Sequence, residues 1–186
     1  MNMFVLGTIM ALFFSILGLC LVIWILLTLL YTRVPWVKTP EKNIALLLEN
    51  CIITPSDTVY DLGCGDAAVL EYIERKTGAS TKGFEISPLA YFLAKGRIAT
   101  RRLKTEVVFE NFMKSDLTGA TVVFCFLIGD VMQKIAEHLQ TALRPGTKIV
   151  SYGYQFPDLQ LDSVIKTRPG DSGASSFYVY SIQAKR

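Results

Sequence analysis

A chain of 186 residues has room for one folded domain with an appendage, and its composition limits what the protein can be. Hydrophobic residues make up 51% of it, which is high for a soluble protein. The formal net charge is only +3, with no basic block of the kind that forms a nucleic-acid-binding stripe.

The first predicted element is a long apolar helix over residues 1–32. No charged residue occurs between Met3 and Tyr31, and roughly 20 apolar residues suffice to cross a bilayer as a helix. A cleaved signal peptide is disfavoured because no basic residue precedes the run and no small-x-small cleavage site follows it. A buried core helix is disfavoured because such helices rarely stay apolar on every side. We therefore predict a transmembrane anchor that binds the lipid bilayer.

A juxtamembrane connector is predicted over residues 33–39. Arg33, Lys38 and Lys42 follow the apolar run, and no basic residue precedes it. The positive-inside rule then places the rest of the chain on the cytoplasmic side in a prokaryote, or on the matrix side in a mitochondrion. The four cysteines lack CxxC spacing, which fits a reducing compartment of either kind.

Residues 40–186 are predicted to form one α/β domain. Thr39 is the expected N-cap, and Pro40 the first residue, of the helix that opens it. Strand-like and helix-like segments then alternate, which is typical of a mostly parallel sheet with helices on both faces. The last two strands are close enough to form a hairpin, giving about seven strands with the last one reversed. The predicted strands are 57–62, 81–85, 105–109, 120–127, 147–153, 162–167 and 176–183; the predicted helices after the first are 67–77, 88–100 and 130–143.

The stretch VYDLGCGDAAVL places a glycine turn between the first strand and the following helix. Open α/β sheets bind ligands at the carboxyl ends of their strands, so this turn is a candidate site. Ala68 stands where the dinucleotide fingerprint GxGxxG has its third glycine. Asp61 precedes the first glycine, where it would repel a pyrophosphate and attract an amino group. The predicted ligand contacts here are Asp61, Gly63, Cys64, Gly65 and Asp66.

Two further strand ends carry matching groups. Glu85, with Ile86 beside it, ends the second strand, where an acidic residue accepts hydrogen bonds from ribose hydroxyls in nucleotide-binding folds. Asn111 and Phe112 follow the third strand and offer an amide oxygen and a flat apolar surface to a purine. An amino-acid end, a ribose and an adenine together describe S-adenosylmethionine. The alternative, in which Asp61 and Glu85 are ordinary solvated strand ends, requires three coincidences in register.

Four stretches in this order resemble the seven-β-strand class I methyltransferases: DLGCGD, GFEISPLAYFLAKGRIATRR, VVFCFLIGDVMQKI and KIVSYGYQFPDL. The chain is most similar to one branch, the membrane-anchored lysine methyltransferases of mitochondria that modify the ATP synthase c-subunit and the adenine nucleotide translocase, with their prokaryotic relatives. The features of that branch are an apolar helix directly before PWVKTP, a second strand ending in EISP, and the turn YGYQFP after the fifth strand.

This resemblance implies a Rossmann-like class I methyltransferase fold, S-adenosylmethionine as cofactor, and a lysine of a membrane protein as acceptor. Thr39 and Pro40 would shape a lid over the cofactor. The chain departs from the family at Ala67 and Ala68, where a glycine and a basic residue are usual, and at Ser87, where asparagine is usual. The predicted acceptor channel consists of Trp36, Tyr152, Gln155, Phe156 and Pro157, with ordinary packing as the alternative for Tyr152 and Phe156.

The chemistry of methyl transfer fits this residue set. Displacement at a sulfonium requires an uncharged amine, whereas a free lysine titrates near 10.4. A narrow aromatic channel would desolvate the ammonium and lower its pKa, so no dedicated base is needed. His138, the single histidine, is expected on a helix away from the strand ends. No metal-ligand spacing is present, and FLIGD after the fourth strand lacks the Asn/Asp-Pro-Pro-aromatic run of enzymes that methylate base amino groups.

Other readings of the sequence stay open at this stage. The same anchor would serve an enzyme that methylates a lipid or quinone headgroup. A module that binds S-adenosylmethionine without catalysis, or a plain anchored scaffold, would share the same motifs. We expect a protein-lysine methyltransferase, with no metal and no nucleic acid among its partners.

Overall fold

The computed structural model describes residues 3–32, 37–127, 132–171 and 173–184, which fall into two compact units. The first unit, Met1–Pro35, contains helix α1 (Met3–Thr32). Its stretch Val5–Leu26 is long and apolar enough to cross a membrane by length and composition, a test that a signal sequence can also pass. Arg33 and Trp36 of the predicted connector lie outside the described residues.

The second unit, Trp36–Arg186, is a seven-stranded sheet with helices on both faces. Its helices are α2 (Glu41–Asn50), α3 (Ala68–Thr77), α4 (Pro88–Arg101) and α5 (Met132–Ala142), with a short 3-10 turn at Phe112–Lys114. Its strands are β1 (Thr58–Leu62), β2 (Ser80–Glu85), β3 (Glu106–Phe109), β4 (Val122–Cys125), β5 (Lys148–Tyr152), β6 (Leu161–Lys166) and β7 (Ser176–Ser181).

The strands lie in the order β3-β2-β1-β4-β5-β7-β6. All pairings from β3 to β5 are parallel, and β7 runs antiparallel to both β5 and β6. The prediction of a mostly parallel sheet with the last strand reversed is confirmed. The hairpin has one feature that the pattern did not predict: β7 inserts between β5 and β6, so that β6 becomes the edge strand.

Side chains alternate between the two faces along each central strand, because successive residues of a strand point to opposite sides. Val122 and Phe124 of β4 pack on the side that contains α2 and α3, and Val123 and Cys125 pack on the side of α5. We call these the α2-side core and the α5-side core. The α2-side core includes Ile44, Leu47, Ile73, Val150, Tyr152 and Phe177, and the α5-side core includes Ile135, Leu139, Ile149, Phe156, Tyr180 and Ile182.

The predicted elements agree with the structure to within one or two residues at most ends; residues 130 and 131 of the last predicted helix lie outside the described residues. The start of α2 needs a correction. Pro40, not Thr39, is the N-cap, with an extended ψ of 135°, and Glu41 is the first helical residue. The carbonyl of Pro40 accepts a hydrogen bond from the amide of Asn43 (2.9 Å), and no side chain caps the helix. The fixed φ of proline suits both positions, so the sequence alone did not separate them.

Candidate active site

The glycine turn after β1 is tied to the end of β2 by backbone hydrogen bonds. The amides of Gly63 and Cys64 both donate to the carbonyl of Phe84, at 2.9 and 3.0 Å. Gly63 has a φ of +97°, which residues with a side chain rarely adopt. The turn therefore stands over the carboxyl ends of two neighbouring strands, as the sequence predicted.

Close packing beneath this turn depends on a second glycine. A Cβ atom added to Gly83 of β2 would lie 2.5 Å from the Sγ atom and 2.7 Å from the Cβ atom of Cys64. Cys64 is buried, and burial raises the pKa of its thiol, so the sulfur acts as a small packing group. Its backbone, rather than its thiol, forms part of the glycine turn.

Glu85 is buried at the end of β2 and holds the turn in place. Its Oε2 atom accepts a hydrogen bond from the amide of Gly65 (2.9 Å), and its Oε1 atom accepts from Ile86 (2.9 Å) and Ser87 (2.7 Å). A carboxylate can accept about four hydrogen bonds. The three observed bonds position the carboxylate and leave acceptor capacity for a ribose hydroxyl.

Asp61 lies on β1 between Gly83 of β2 and Phe124 of β4, and only 2% of it is exposed. Burial raises the pKa of its carboxyl to about 8, and the negative charge of Glu85 adds to this effect. Because burial disfavours the ionised form of this carboxyl, a cationic neighbour would stabilise that form strongly. The predicted contact of Asp61 with the amino group of a ligand is compatible with this environment.

Asp66, the last acidic residue of the turn, already has cationic partners. Its Oδ2 atom lies 2.6 Å from an Nη atom of Arg97 and 3.6 Å from the Nζ atom of Lys38. Arg97 also donates to the backbone carbonyl of Asp66 (2.7 Å) and to Glu71 of α3 (2.8 Å). Sequence reasoning missed Arg97, because an arginine 31 residues away on another helix gives no local signal. With Asp66 paired, Asp61 and Glu85 remain to attract a cation.

The two departures from the family pattern have structural consequences. Ala67 is buried in the left-handed region, with a φ of 60°, at the position where glycine is usual. This conformation costs an alanine about 1–2 kcal/mol. Ser87 caps α4, with its hydroxyl accepting from the amide of Ala90 (3.5 Å) and Pro88 beginning the helix. Serine and asparagine cap helices equally well, so this exchange preserves the local structure.

Asn111 and Phe112 follow β3, which is the neighbour of β2 in the sheet. The Oδ1 atom of Asn111 accepts a hydrogen bond from the amide of Met113 (3.0 Å) and so caps the short 3-10 turn. The same oxygen has a second lone pair for the amine of a purine. Phe112 is half-buried against the α5-side core. The predicted ligand groups thus follow three neighbouring strand ends.

The turn after β5 divides the predicted channel residues between the two faces of the sheet. Tyr152 is buried in the α2-side core, where its hydroxyl accepts a hydrogen bond from the Nδ2 atom of Asn43 (2.7 Å). Phe156 is 0% exposed in the α5-side core, its ring 5.6 Å from that of Tyr180. The structure therefore places Phe156 in the core rather than on an open surface of the turn. In this conformation both aromatic rings act as core packing residues, as the alternative interpretation of the sequence expected.

The other residues of this turn are exposed. Gln155 and Pro157 both reach the surface, and so does Tyr154, which sequence reasoning did not include. The hydroxyl of Ser151 donates to the carbonyl of Tyr154 (2.6 Å) and fixes the shape of the turn. Thr39 and Pro40, the predicted lid residues, directly precede α2; Thr39 is half-buried and Pro40 exposed. The structure does not describe Trp36.

A cavity of about 500 Å³ lies at the opposite edge of the sheet, around the amino ends of β1, β2 and β3. Glu74, Lys82 and Lys104 are among the residues that line it, and none of the predicted cofactor contacts does. Ligands of open α/β sheets bind at the other edge, so we do not assign the cofactor to this cavity. Within residues 3–32, 37–127, 132–171 and 173–184, no three His, Cys, Asp or Glu side chains cluster as metal ligands would.

Comparison with known proteins identifies the family to which this chain belongs. Residues 61–163 match the model of the ANTKMT methyltransferase domain, which is more than half of the chain. A protein-lysine N-methyltransferase of Saccharolobus islandicus is 30% identical over 156 residues, covering 81% of this chain and 94% of the relative.

Solved structures agree with the sequence matches. An RNA methyltransferase from Salinibacter ruber, in complex with S-adenosyl-L-homocysteine, superposes with a TM-score of 0.73 at 27% identity, covering 81% of this chain and 96% of that one. A methyltransferase from Pyrococcus furiosus shares the fold, with a TM-score of 0.61 at 14% identity over 87% of this chain and 97% of its own. The predicted fold class and cofactor are confirmed. The chain belongs to the family of ANTKMT methyltransferase domains and is an S-adenosylmethionine-dependent enzyme.

Proposed function

We propose that this methyltransferase modifies the ε-amino group of a lysine in a membrane-embedded or membrane-associated protein. The observation that carries the proposal is the relative from Saccharolobus islandicus, a protein-lysine N-methyltransferase that matches 81% of this chain with 94% of its own length. The long apolar helix α1 supports the membrane location of the acceptor.

The cofactor would bind across the carboxyl ends of β1, β2 and β3. Asp61 would take the ammonium group of the methionine end, and Glu85 a ribose hydroxyl. Asn111 and Phe112 would contact the adenine. The glycine turn would let the methionine part of the cofactor lie close to the protein backbone, and the neighbouring acidic residues would also favour the sulfonium charge. Bound in this way, the cofactor supplies an electrophilic methyl group.

The acceptor lysine would reach that methyl group past the turn after β5. Gln155 and Pro157 are exposed there; Trp36 would complete the proposed channel, and the buried Tyr152 would support it from the α2-side core. Phe156 would support the turn from the core below. A channel of this composition takes water away from the lysine ammonium and lowers its pKa, so that the neutral amine can attack in line with the departing sulfur.

In this proposal residues 1–32 anchor the protein, residues 33–39 connect, and residues 40–186 catalyse. The basic residues after the apolar run favour the cytoplasmic or matrix side for the catalytic domain. Tethering raises the effective concentration of acceptors at the same bilayer.

The proposal is tested by incubating the purified full-length protein, reconstituted in lipid, with native membranes and methyl-labelled S-adenosylmethionine. Label is expected in the protein fraction, and mass spectrometry of the labelled protein should locate it on a lysine. Asp61→Asn should abolish labelling. The matched exchange Asp162→Asn, at an exposed position on β6, should leave labelling unchanged.

Other distributions of label would contradict the proposal. Label in the lipid extract would indicate a lipid or quinone acceptor, and label in RNA would indicate a nucleic-acid acceptor. Cofactor binding by calorimetry without transfer to any membrane fraction would indicate a non-catalytic binding module.

A further inference from the structure

Helix α4 presents an apolar surface to the outside of the domain. Phe92 is 65% exposed, and Leu89 and Leu93 are also exposed. Phe109, at the end of β3, is 53% exposed, and the ring of Tyr91 joins it to Phe92 with centroid distances of 5.4 and 5.6 Å. We call Leu89, Tyr91, Phe92, Leu93 and Phe109 the α4 patch.

Apart from Tyr91, which packs partly against the core, the patch is not needed to hold α4 on the sheet. The helix buries Ala90 and Ala94 on its inner side. Leu89, Phe92 and Leu93 have helical spacing of three and four residues, so they form one stripe on its outer side. Large side chains on the outer stripe cost solubility, and a contiguous exposed apolar patch marks a site of interaction.

The charge on the helix of the patch is of one sign, although the exposed Glu110 follows Phe109. The helix Pro88–Arg101 contains no acidic residue and carries Lys95, Arg97 and Arg101. Arg97 and Arg101 pair with Glu71 of α3, whereas Lys95 lies beside the apolar stripe and is exposed. Arg102 continues the basic run, whereas Lys104 lies by the cavity at the opposite edge of the sheet. An apolar stripe of Leu and Phe with basic neighbours is the composition of a helix that lies in a membrane interface.

The apolar span of α1, if it crosses a membrane, would keep the catalytic domain close to a bilayer. The eight residues 33–40 that join α1 to α2 can extend over about 28 Å at most. With α1 across the membrane, as in the proposed function, the catalytic domain stays near the bilayer surface, where anionic headgroups attract Lys and Arg.

We infer that the α4 patch docks on the lipid surface. Its aromatic and leucine side chains would lie at the boundary between headgroups and acyl chains, and the basic residues of helix α4 would contact anionic headgroups. This rests on the membrane anchoring in the proposed function. Ile86 directly follows β2, and Phe109 is the last residue of β3; the proposed cofactor contacts lie at the ends of these two strands. Docking there would therefore turn the cofactor edge towards the headgroups, and the acceptor lysine would lie at that depth.

The test uses the full-length protein in nanodiscs of phosphatidylcholine and phosphatidylglycerol in equal parts. The photoreactive residue p-benzoylphenylalanine replaces Phe92 in one sample and Val164 in another. Val164 is a matched control because it is 40% exposed on β6, the edge strand at the far side of the sheet from β3. After irradiation, the mass of the delipidated protein reports cross-linked phospholipid.

We expect at least a tenfold higher phospholipid yield at position 92 than at position 164, and a several-fold decrease when phosphatidylcholine is the only lipid. Equal yields at the two positions would overturn the inference. Cross-linking of position 92 to another protein or to a second copy of this chain would also overturn it, because the patch would then be a protein interface. Cross-linking requires neither cofactor nor turnover, so it can fail or succeed independently of the lysine assay.

A variant provides a second measurement. Phe92→Ser combined with Leu93→Ser should leave the calorimetric affinity for S-adenosylmethionine unchanged, which also shows that the domain is folded. Labelling of native membranes should decrease several-fold, whereas Val164→Ser should have no effect. Unchanged membrane labelling by the double variant would contradict a role of the patch in docking.

Discussion

The turns after β1 and β5 both leave the carboxyl edge of the same sheet, but they use their side chains differently. In the turn after β1, Asp61 is beside Glu85, and the Glu85 carboxylate bonds to the amide of Gly65. In the turn after β5, Tyr152 and Phe156 pack in separate cores on opposite faces of the sheet. The turn after β1 therefore brings its motif residues together, whereas the turn after β5 separates its aromatic residues.

The difference arises from how each set of residues is spaced in the sheet. Asp61 and Glu85 lie at the ends of two adjacent parallel strands, and parallel pairing brings such ends together. Tyr152 and Phe156 lie on one chain that leaves the sheet between them, so nothing in their spacing keeps them on one face. Parallel pairing therefore brings residues at neighbouring strand ends together more dependably than an aromatic-rich turn gathers its own residues.

The largest expected effect concerns the turn after β5. Phe156→Ala should lower the free energy of unfolding by about 3–5 kcal/mol, because it empties a fully buried site in the α5-side core. The neighbouring exchange Gln155→Ala, at an exposed position, should change it by less than about 0.5 kcal/mol. Urea unfolding of the full chain in detergent, followed by near-ultraviolet circular dichroism, measures both. If Phe156→Ala kept its stability but lost turnover at saturating cofactor, Phe156 would line the channel after all.

In the turn after β1, Gly83→Ala should be the most damaging small exchange. The added methyl would overlap Cys64, so either the glycine turn moves or the fold loses about 3 kcal/mol, at the upper end for overpacked cores. Calorimetry should show weaker cofactor binding in either case. Gly96→Ala is the control: no atom lies within 4 Å of its added methyl, and it should stabilise helix α4 by up to about 1 kcal/mol. Normal stability and cofactor binding of Gly83→Ala would show that the turn packs differently.

Asp61→Asn should change stability and cofactor binding in opposite directions. The pKa of Asp61 is about 8 in the fold, whereas an unfolded aspartate titrates near 3.9. Both states are protonated below pH 4, but between pH 4 and 8 the unfolded chain ionises first. The folded state therefore loses about 1.4 kcal/mol of stability per pH unit over that range.

The variant removes that loss, and its buried amide offsets part of the gain. Without cofactor, it should exceed the wild-type protein in stability at pH 8 by on the order of 2 kcal/mol, and this advantage should shrink by about 1.4 kcal/mol per pH unit on acidification and reverse before pH 4. S-adenosylmethionine should raise the melting temperature of the wild-type protein but not that of the variant. A variant that is less stable at pH 8, or that still gains stability from the cofactor, would disprove the assigned role of Asp61.

The smallest effect is expected from Tyr152→Phe. It removes the acceptor of the hydrogen bond from Asn43 and should cost about 1 kcal/mol of stability, within the range for a lost buried hydrogen bond. The double variant with Asn43→Ala should be destabilised by less than the sum of the two single exchanges, since they share one bond. Thermal unfolding of the four proteins measures this coupling. Additive effects would mean that the two side chains do not interact.

The sequence by itself determined the order of strands and helices, most of their ends and the position of the glycine turn. Hydrophobic periodicity and turn residues act over a few neighbours, so they can be read locally, as for the strand Thr58–Leu62 and the glycines after it. The convergence of Asp61 and Glu85 also followed, because alternating strands and helices imply that consecutive strands lie side by side.

Only the tertiary structure decided the contacts between distant segments. Arg97 meets Asp66 across 31 residues, and Asn43 meets Tyr152 across 109. The insertion of β7 between β5 and β6, and the assignment of Phe156 to one core and Tyr152 to the other, belong to the same class. Such contacts depend on which elements pack against each other. Periodicity shows which face of an element is buried, but it does not show which distant residue that face will meet.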